Sequence, residues 1–131
     1  MENKRQIAYW MELAEYDLET AKAMLKTERL LYVGFMCHQT IEKALKGYYI
    51  YITNESPAFT HRLSYFTEIT GLEVELNSLQ KDFIDELEPL NIEARYPTYK
   101  EKLLKSLTKE KCKAILDKTE ELLGWIKKKM Q

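Results

Sequence analysis

Two side chains in this sequence, His38 and His61, belong to the residue type that titrates near neutral pH, and they are the first candidates for proton transfer or for holding an anion. His38 stands four residues ahead of Glu42. On a helix that spacing puts imidazole and carboxylate on one edge, within reach of a hydrogen bond, with Tyr49 further along the same edge. His61 follows Thr60, a residue placed to cap a short helix, so its ring falls in a first helical turn. There an imidazole either contacts a phosphate or a base beside the positive end of the helix dipole, or packs and caps. Asp17 lies inside an otherwise apolar arc, between Leu13 and Trp10. An unpaired buried carboxylate is costly, so Asp17 needs a cation, a hydrogen-bond donor, or a place at the rim of a cleft. Arg95 precedes Tyr96 and Pro97. The proline biases Tyr96 away from the α region, so a helix should finish near Arg95 and project its guanidinium from the helix end.

Other chemistries lack their patterns. There is no Gly-rich phosphate loop, no GxSxG and no HExxH, which removes the common P-loop, α/β-hydrolase and zinc-protease signatures. Neither histidine has a Glu three residues before it, so the di-iron bundle pattern fails. His38 and Glu42 make two ligands where a metal site needs more, and no metal or other cofactor is expected. Cys37 and Cys112 both fall on apolar faces without a CxxC pair, and read as buried free thiols.

Helices must hold these residues. The first should run from about Asn3 to Lys26, because Ile7, Trp10, Leu13, Ala14, Leu18, Ala21 and Leu25 recur at helical spacing. The second, from Tyr32 to Thr53, is proline-free and apolar on more than one side, as a helix enclosed by neighbours would be. Counting 100° per residue gives it a core face of Gly34, Cys37, Ile41, Ala44, Leu45, Tyr48 and Ile52. Met36 and Ile50 lie roughly opposite, and two apolar residues on an outer face predict a homodimer with this helix or its neighbours in the contact. A third, short helix holds Leu63, Phe66 and Ile69 between a Thr60 cap and a Gly71 stop. Asn77 or Ser78 caps a fourth, whose stripe Leu79, Phe83, Leu87, Leu90 and Ala94 passes through Pro89, a residue that should kink it or start a new segment. Residues 98–107 fit a short helix or an ordered loop. Thr108 caps the last helix, with Cys112, Ile115, Leu116, Thr119, Leu122, Leu123 and Ile126 as its seam. The expected fold is all-α, an up-and-down bundle of four to five helices, in one domain over residues 1–131.

The totals agree with that fold. With 131 residues the chain is large enough to bury a core without disulfides. Only four Gly and three Pro, with 45% hydrophobic and 31% charged residues, suit helices better than strands or disorder. No apolar run reaches the roughly 18 to 20 residues of a membrane span, and no signal-peptide pattern opens the chain, so a soluble cytoplasmic protein without membrane contact is expected. The net charge of −1 is unevenly spread. Residues 1–99 carry ten Lys/Arg against sixteen Asp/Glu, and residues 100–131 carry ten Lys against five. The basic end is either a solvated lysine-rich helix face or a field that attracts RNA, nucleotides or an acidic protein.

Four stretches in order carry a resemblance: Asp17 within AEYDLETAKAML, the segment GFMCHQTIEKALKGYYI, Thr60-His61-Arg62-Leu63, and ARYP at 94–97. Together, over nearly the whole chain, they resemble the HEPN domain, the higher eukaryote and prokaryote nucleotide-binding domain. The resemblance implies a helical bundle, frequent homodimers, and a role in RNA cleavage or in pairing with a small nucleotidyltransferase, often as toxin and antitoxin. In catalytic members an Arg is followed by a His after a spacing of four to six residues. The Arg stabilises charge on the phosphorane while the His moves the 2′-hydroxyl proton. The Arg here is Arg95, and the positions for the His hold Lys100, Glu101 and Lys102, whose ordinary titration lies far from pH 7. The resemblance therefore points to a protein that binds nucleotide or RNA phosphate without cleaving it. Arg95 would face Asp17 or Glu42 when empty and a phosphate when occupied, bordered by Lys46 and Tyr96. Tyr96 and Tyr99, near Arg95, would be the acceptors of any covalent modification. Two other readings stand beside it: an endoribonuclease using Arg95 with His38 or His61, and a dimeric scaffold whose polar groups only fix helix register.

Overall fold

Helix α1, Glu2–Lys26, and helix α2, Leu30–Thr53, form a hairpin in the computed structural model, which describes residues 2–93, 101, 102 and 105–131. α1 has an acid in its first turn and Lys26 in its last, which complements the helix dipole. Ala14, Leu18 and Ala21 form its buried line. The short side chains let α2 come close, and Gly47 of α2 sits where a Cβ would lie 3.1 Å from Met11 Sδ and 3.6 Å from the Ile7 carbonyl oxygen. Three residues join the helices, and Asn3 Nδ2 donates to Asn54 Oδ1 at 2.9 Å, so the start of α1 meets the end of α2. Asn54 closes α2 in the left-handed conformation, φ 60°, with its amide on the Ile50 carbonyl.

Helix α3, Leu63–Ile69, ends at Gly71, whose φ of 77° suits glycine, and a 3₁₀ turn follows over Leu72–Glu75. Helix α4, Ser78–Glu93, starts with a reciprocal cap. Gln80 N donates to Asn77 Oδ1 at 2.8 Å and Asn77 N to Gln80 Oε1 at 2.9 Å. It continues through Pro89 as one element. Helix α5, Lys109–Lys129, begins at Thr108, whose Oγ1 accepts from Lys111 N, and buries all seven residues of the expected seam. Lys22 of α1 pairs with Glu120 at 3.1 Å, and Glu15 pairs with Lys127, so α5 runs antiparallel to α1. Residues 101, 102, 105 and 106 are helical. The result is an all-α bundle, with no strand among the described residues.

α2 touches α1, α3, α4 and α5. This enclosure corrects the sequence reading of its faces. Ile50, expected on an outer dimer-forming side, is 0% exposed, and Met36 packs against the core. Ile52, expected in the core, is 46% exposed in the last turn of α2. Leu79 is likewise 78% exposed in the first turn of α4, and Ile84 takes its place in the buried stripe. Ile69, at the end of α3, is exposed as well. Cys37 and Cys112 are buried free thiols. Burial pushes the Cys37 thiol up to about 12, against the smaller effect of the Thr119 hydroxyl, and raises that of Cys112 as well.

Candidate functional site

One carboxylate on α2 gathers the polar groups of this region. Glu42 is buried, and its two oxygens divide their partners. Oε2 accepts from Lys46 Nζ at 3.0 Å, one turn further along α2. Oε1 lies 3.0 Å from His61 Nδ1, which reaches in from the loop before α3. A carboxylate that already receives an ammonium can only accept, so the proton of this second bond belongs to His61 Nδ1. The His61 side chain is 53% exposed, and its other nitrogen, Nε2, has no partner among the described residues. The Lys46 ammonium is buried and lies 5.3 Å from the centre of the Trp10 ring, so an aromatic face shields the side away from Glu42.

His38 is enclosed, at 0% exposure. Its Nδ1 stands 3.7 Å from Glu42 Oε1 and its Nε2 3.8 Å from Glu88 Oε2. Both distances exceed hydrogen-bond length, and neither ring nitrogen has a hydrogen-bond partner among the described residues. The ring thus separates two carboxylates. Glu88, on α4, caps α3 from outside: Leu63 N donates to Oε2 at 2.8 Å and Ser64 N to Oε1 at 3.0 Å. Burial works to raise the Glu88 carboxyl. The His38 ring and the Ser64 and Leu63 amides outweigh it and hold the group down at about 2. Beside the cluster, Gln39 Nε2 donates to Asn91 Oδ1 at 2.9 Å.

Several expectations change here. Thr60 does not cap α3; its hydroxyl accepts from Arg62 N at 3.2 Å in the preceding turn. A carboxylate brings a full negative charge to the helix end, which a hydroxyl does not. His61 lies ahead of α3 and aims at Glu42, and the amides that would have drawn an anion toward it are occupied by Glu88. His38 and Glu42 are neighbours, as their spacing requires, without a direct hydrogen bond. Asp17 has the cationic partner its burial demanded, and that partner is Lys43. The Asp17–Lys43 pair joins α1 to α2 as a bridge of its own. Arg95, Tyr96, Tyr99 and Lys100 lie outside the described residues, and Glu101 and Lys102 are exposed.

The cluster therefore brings together His38, Glu42, Lys46 and His61. Glu88 and Trp10 were missed as site residues, and Lys43 as the partner of Asp17. Glu88 carried a weak signal, since it adjoins the apolar stripe of α4 at Leu87 without belonging to it. Among the described residues no group of three or more His, Cys, Asp or Glu side chains is placed to hold a metal ion. No described helix is long and apolar enough to cross a membrane.

An all-helical bundle whose central helix carries a buried carboxylate, shared by a lysine and an exposed histidine, is the class of protein that the fold and the cluster define. The chain belongs to the HEPN domain family, whose model matches residues 7–129. The crystal structure of TT1696 from Thermus thermophilus is similar to it in fold, with a TM-score of 0.80 at 20% identity, covering 95% of this chain and 98% of that one. No curated protein matches the sequence.

Proposed function

We propose that this HEPN protein binds the phosphate of RNA or of a nucleotide at the Glu42–His61 corner, as the helical partner of a small nucleotidyltransferase in a toxin–antitoxin-like pair. The pairing and a homodimeric state are supported by what the family resemblance implies, and a cytoplasmic location by the lack of a long apolar run and of a signal-peptide pattern in the sequence. Phosphate binding is supported by one observation above all: His61 is anchored through Nδ1 on a buried carboxylate while its ring stays exposed. An imidazole held this way keeps Nε2 clear of the carboxylate, so that the protonated ring donates from Nε2 to a phosphate oxygen, and the ring is pre-oriented, so binding loses little side-chain entropy. Lys46 balances Glu42, so the carboxylate does not repel an incoming anion as a lone charge would. Binding without cleavage is supported by Lys100, Glu101 and Lys102 at the positions where a catalytic histidine would stand.

Fluorescence anisotropy with labelled single-stranded RNA over a salt series tests the reading. The logarithm of the affinity should fall linearly with log salt concentration, and His61→Ala should weaken binding about tenfold, the worth of one hydrogen bond to a charged group. Salt-independent binding, or none, contradicts the proposal. The second reading, a metal-independent endoribonuclease, is favoured by the same anchored ring, because Nε2 can take the 2′-hydroxyl proton. It requires metal-free cleavage that disappears in both Arg95→Ala and His61→Ala. His38 has no part in it, being sealed from any substrate.

A further inference from the structure

The loop that delivers His61 also forms one wall of a groove that the polar cluster does not use. Ser56, Pro57 and Phe59 face Arg5, Tyr9 and Trp10 of α1 across a cavity of about 510 Å³. Phe59 is fully exposed and Tyr9 largely so. The Tyr9 and Trp10 rings meet edge to face, 6.1 Å apart at 70°. Among the described residues no carboxylate lines the groove, and the one charged side chain there is Arg5.

We infer that this groove is a base-stacking site for single-stranded RNA. Three features select that occupant. Aromatic faces with a guanidinium and no acid are the composition on which nucleobases stack, since every base offers a π-face and the cation adds to it. The volume suits a small ligand rather than a folded partner. The groove is also continuous with the proposed phosphate corner: Phe59 is two residues from His61 in the chain, and Trp10 backs the Lys46 that holds Glu42. A nucleotide with its base between Phe59 and the α1 rings directs its phosphate along the same loop toward His61. The inference rests on the phosphate-binding reading and adds the base to it.

The test uses the full chain with Trp125→Phe, which leaves Trp10 as the sole tryptophan. Octaadenylate should quench Trp10 emission in a saturable way. Phe59→Ala, a change at an exposed position, should weaken octaadenylate binding about tenfold, within the range for one stacked base, and Arg5→Ala should weaken it less. An abasic ribose-phosphate octamer should bind more weakly and equally to the parent protein and to Phe59→Ala. His61→Ala should weaken both octamers. If both octamers bind the parent equally and Phe59→Ala changes nothing, the groove is no base site, although the phosphate reading stands. If neither octamer binds, both readings fall. If Phe59→Ala dissociates an oligomer in sedimentation while RNA affinity is unchanged, the groove is a subunit contact and the inference is wrong.

Discussion

Helix α2 carries two lysines three residues apart, and each pairs with a buried carboxylate, but the two pairs serve different ends. Lys43 meets Asp17 across the α1–α2 interface. Lys46 meets Glu42 within α2 itself. In the first pair the acid belongs to a neighbouring helix, so the bond ties two elements together. In the second the helix supplies both charges, and Glu42 has an oxygen to spare, which it gives to His61. A buried carboxylate that does not have to join helices can orient a third group. That difference separates a bridge from a candidate site, although both look alike as Lys–acid pairs.

The largest effect should come from Glu42→Ala. It strands the Lys46 ammonium and releases His61, and should cost about 3–5 kcal/mol in urea unfolding, the range for breaking a buried pair. Lys46→Met added to it should recover part of that loss, because the uncompensated charge is then gone. A Glu42→Ala cost below about 1 kcal/mol would remove the hub from the comparison. Asp17→Ala should cost less, about 2–3 kcal/mol, since Lys43 is partly exposed and can turn to water. It should leave RNA affinity unchanged, and a loss of affinity at constant stability would erase the distinction between the pairs.

Glu88→Gln should cost about 1 kcal/mol near neutral pH by weakening the cap of α3. Because the folded carboxyl titrates at about 2 against an ordinary 4.5, its contribution is complete above about pH 4.5 and is lost as the pH falls toward 2. Unfolding measured between pH 5 and pH 2 should therefore show parent and variant converging on the acid side. A gap that stays constant would show that the charge of Glu88 plays no part.

What could be read in advance follows the physics of each feature. Helical period alone marked the whole seam of α5, because that helix buries one stripe and leaves the rest to water. The same arithmetic misplaced Ile50 and Ile52 on α2, where enclosure and the nearness of the bundle's end decide burial more than angle does. Burial cost required a cation for Asp17 but could not choose Lys43, since the choice depends on how α1 and α2 are rotated against each other. His38 and Glu42 were legible from i,i+4 spacing, whereas Lys46 was expected only at the border of a site around Arg95. The arrival of His61 on Glu42, nineteen residues away, and of Glu88 on the amides of α3 depends on long-range packing that no local spacing encodes. Family membership, by contrast, was legible from four short stretches in order.

Glu42 holds His61 by Nδ1, and the proposed phosphate contact is an Nε2–H donor on the protonated ring. Long-range proton–nitrogen correlation of ¹⁵N-labelled imidazoles, recorded while a short RNA is added, reads it directly. Free His61 should carry a proton on Nδ1, and on titration its Nε2 resonance, alone among the four histidine nitrogens, should shift strongly to the protonated range as Nε2 donates to a phosphate oxygen. An Nδ1 without a proton, or an Nε2 resonance that does not respond to bound RNA, would contradict this arrangement.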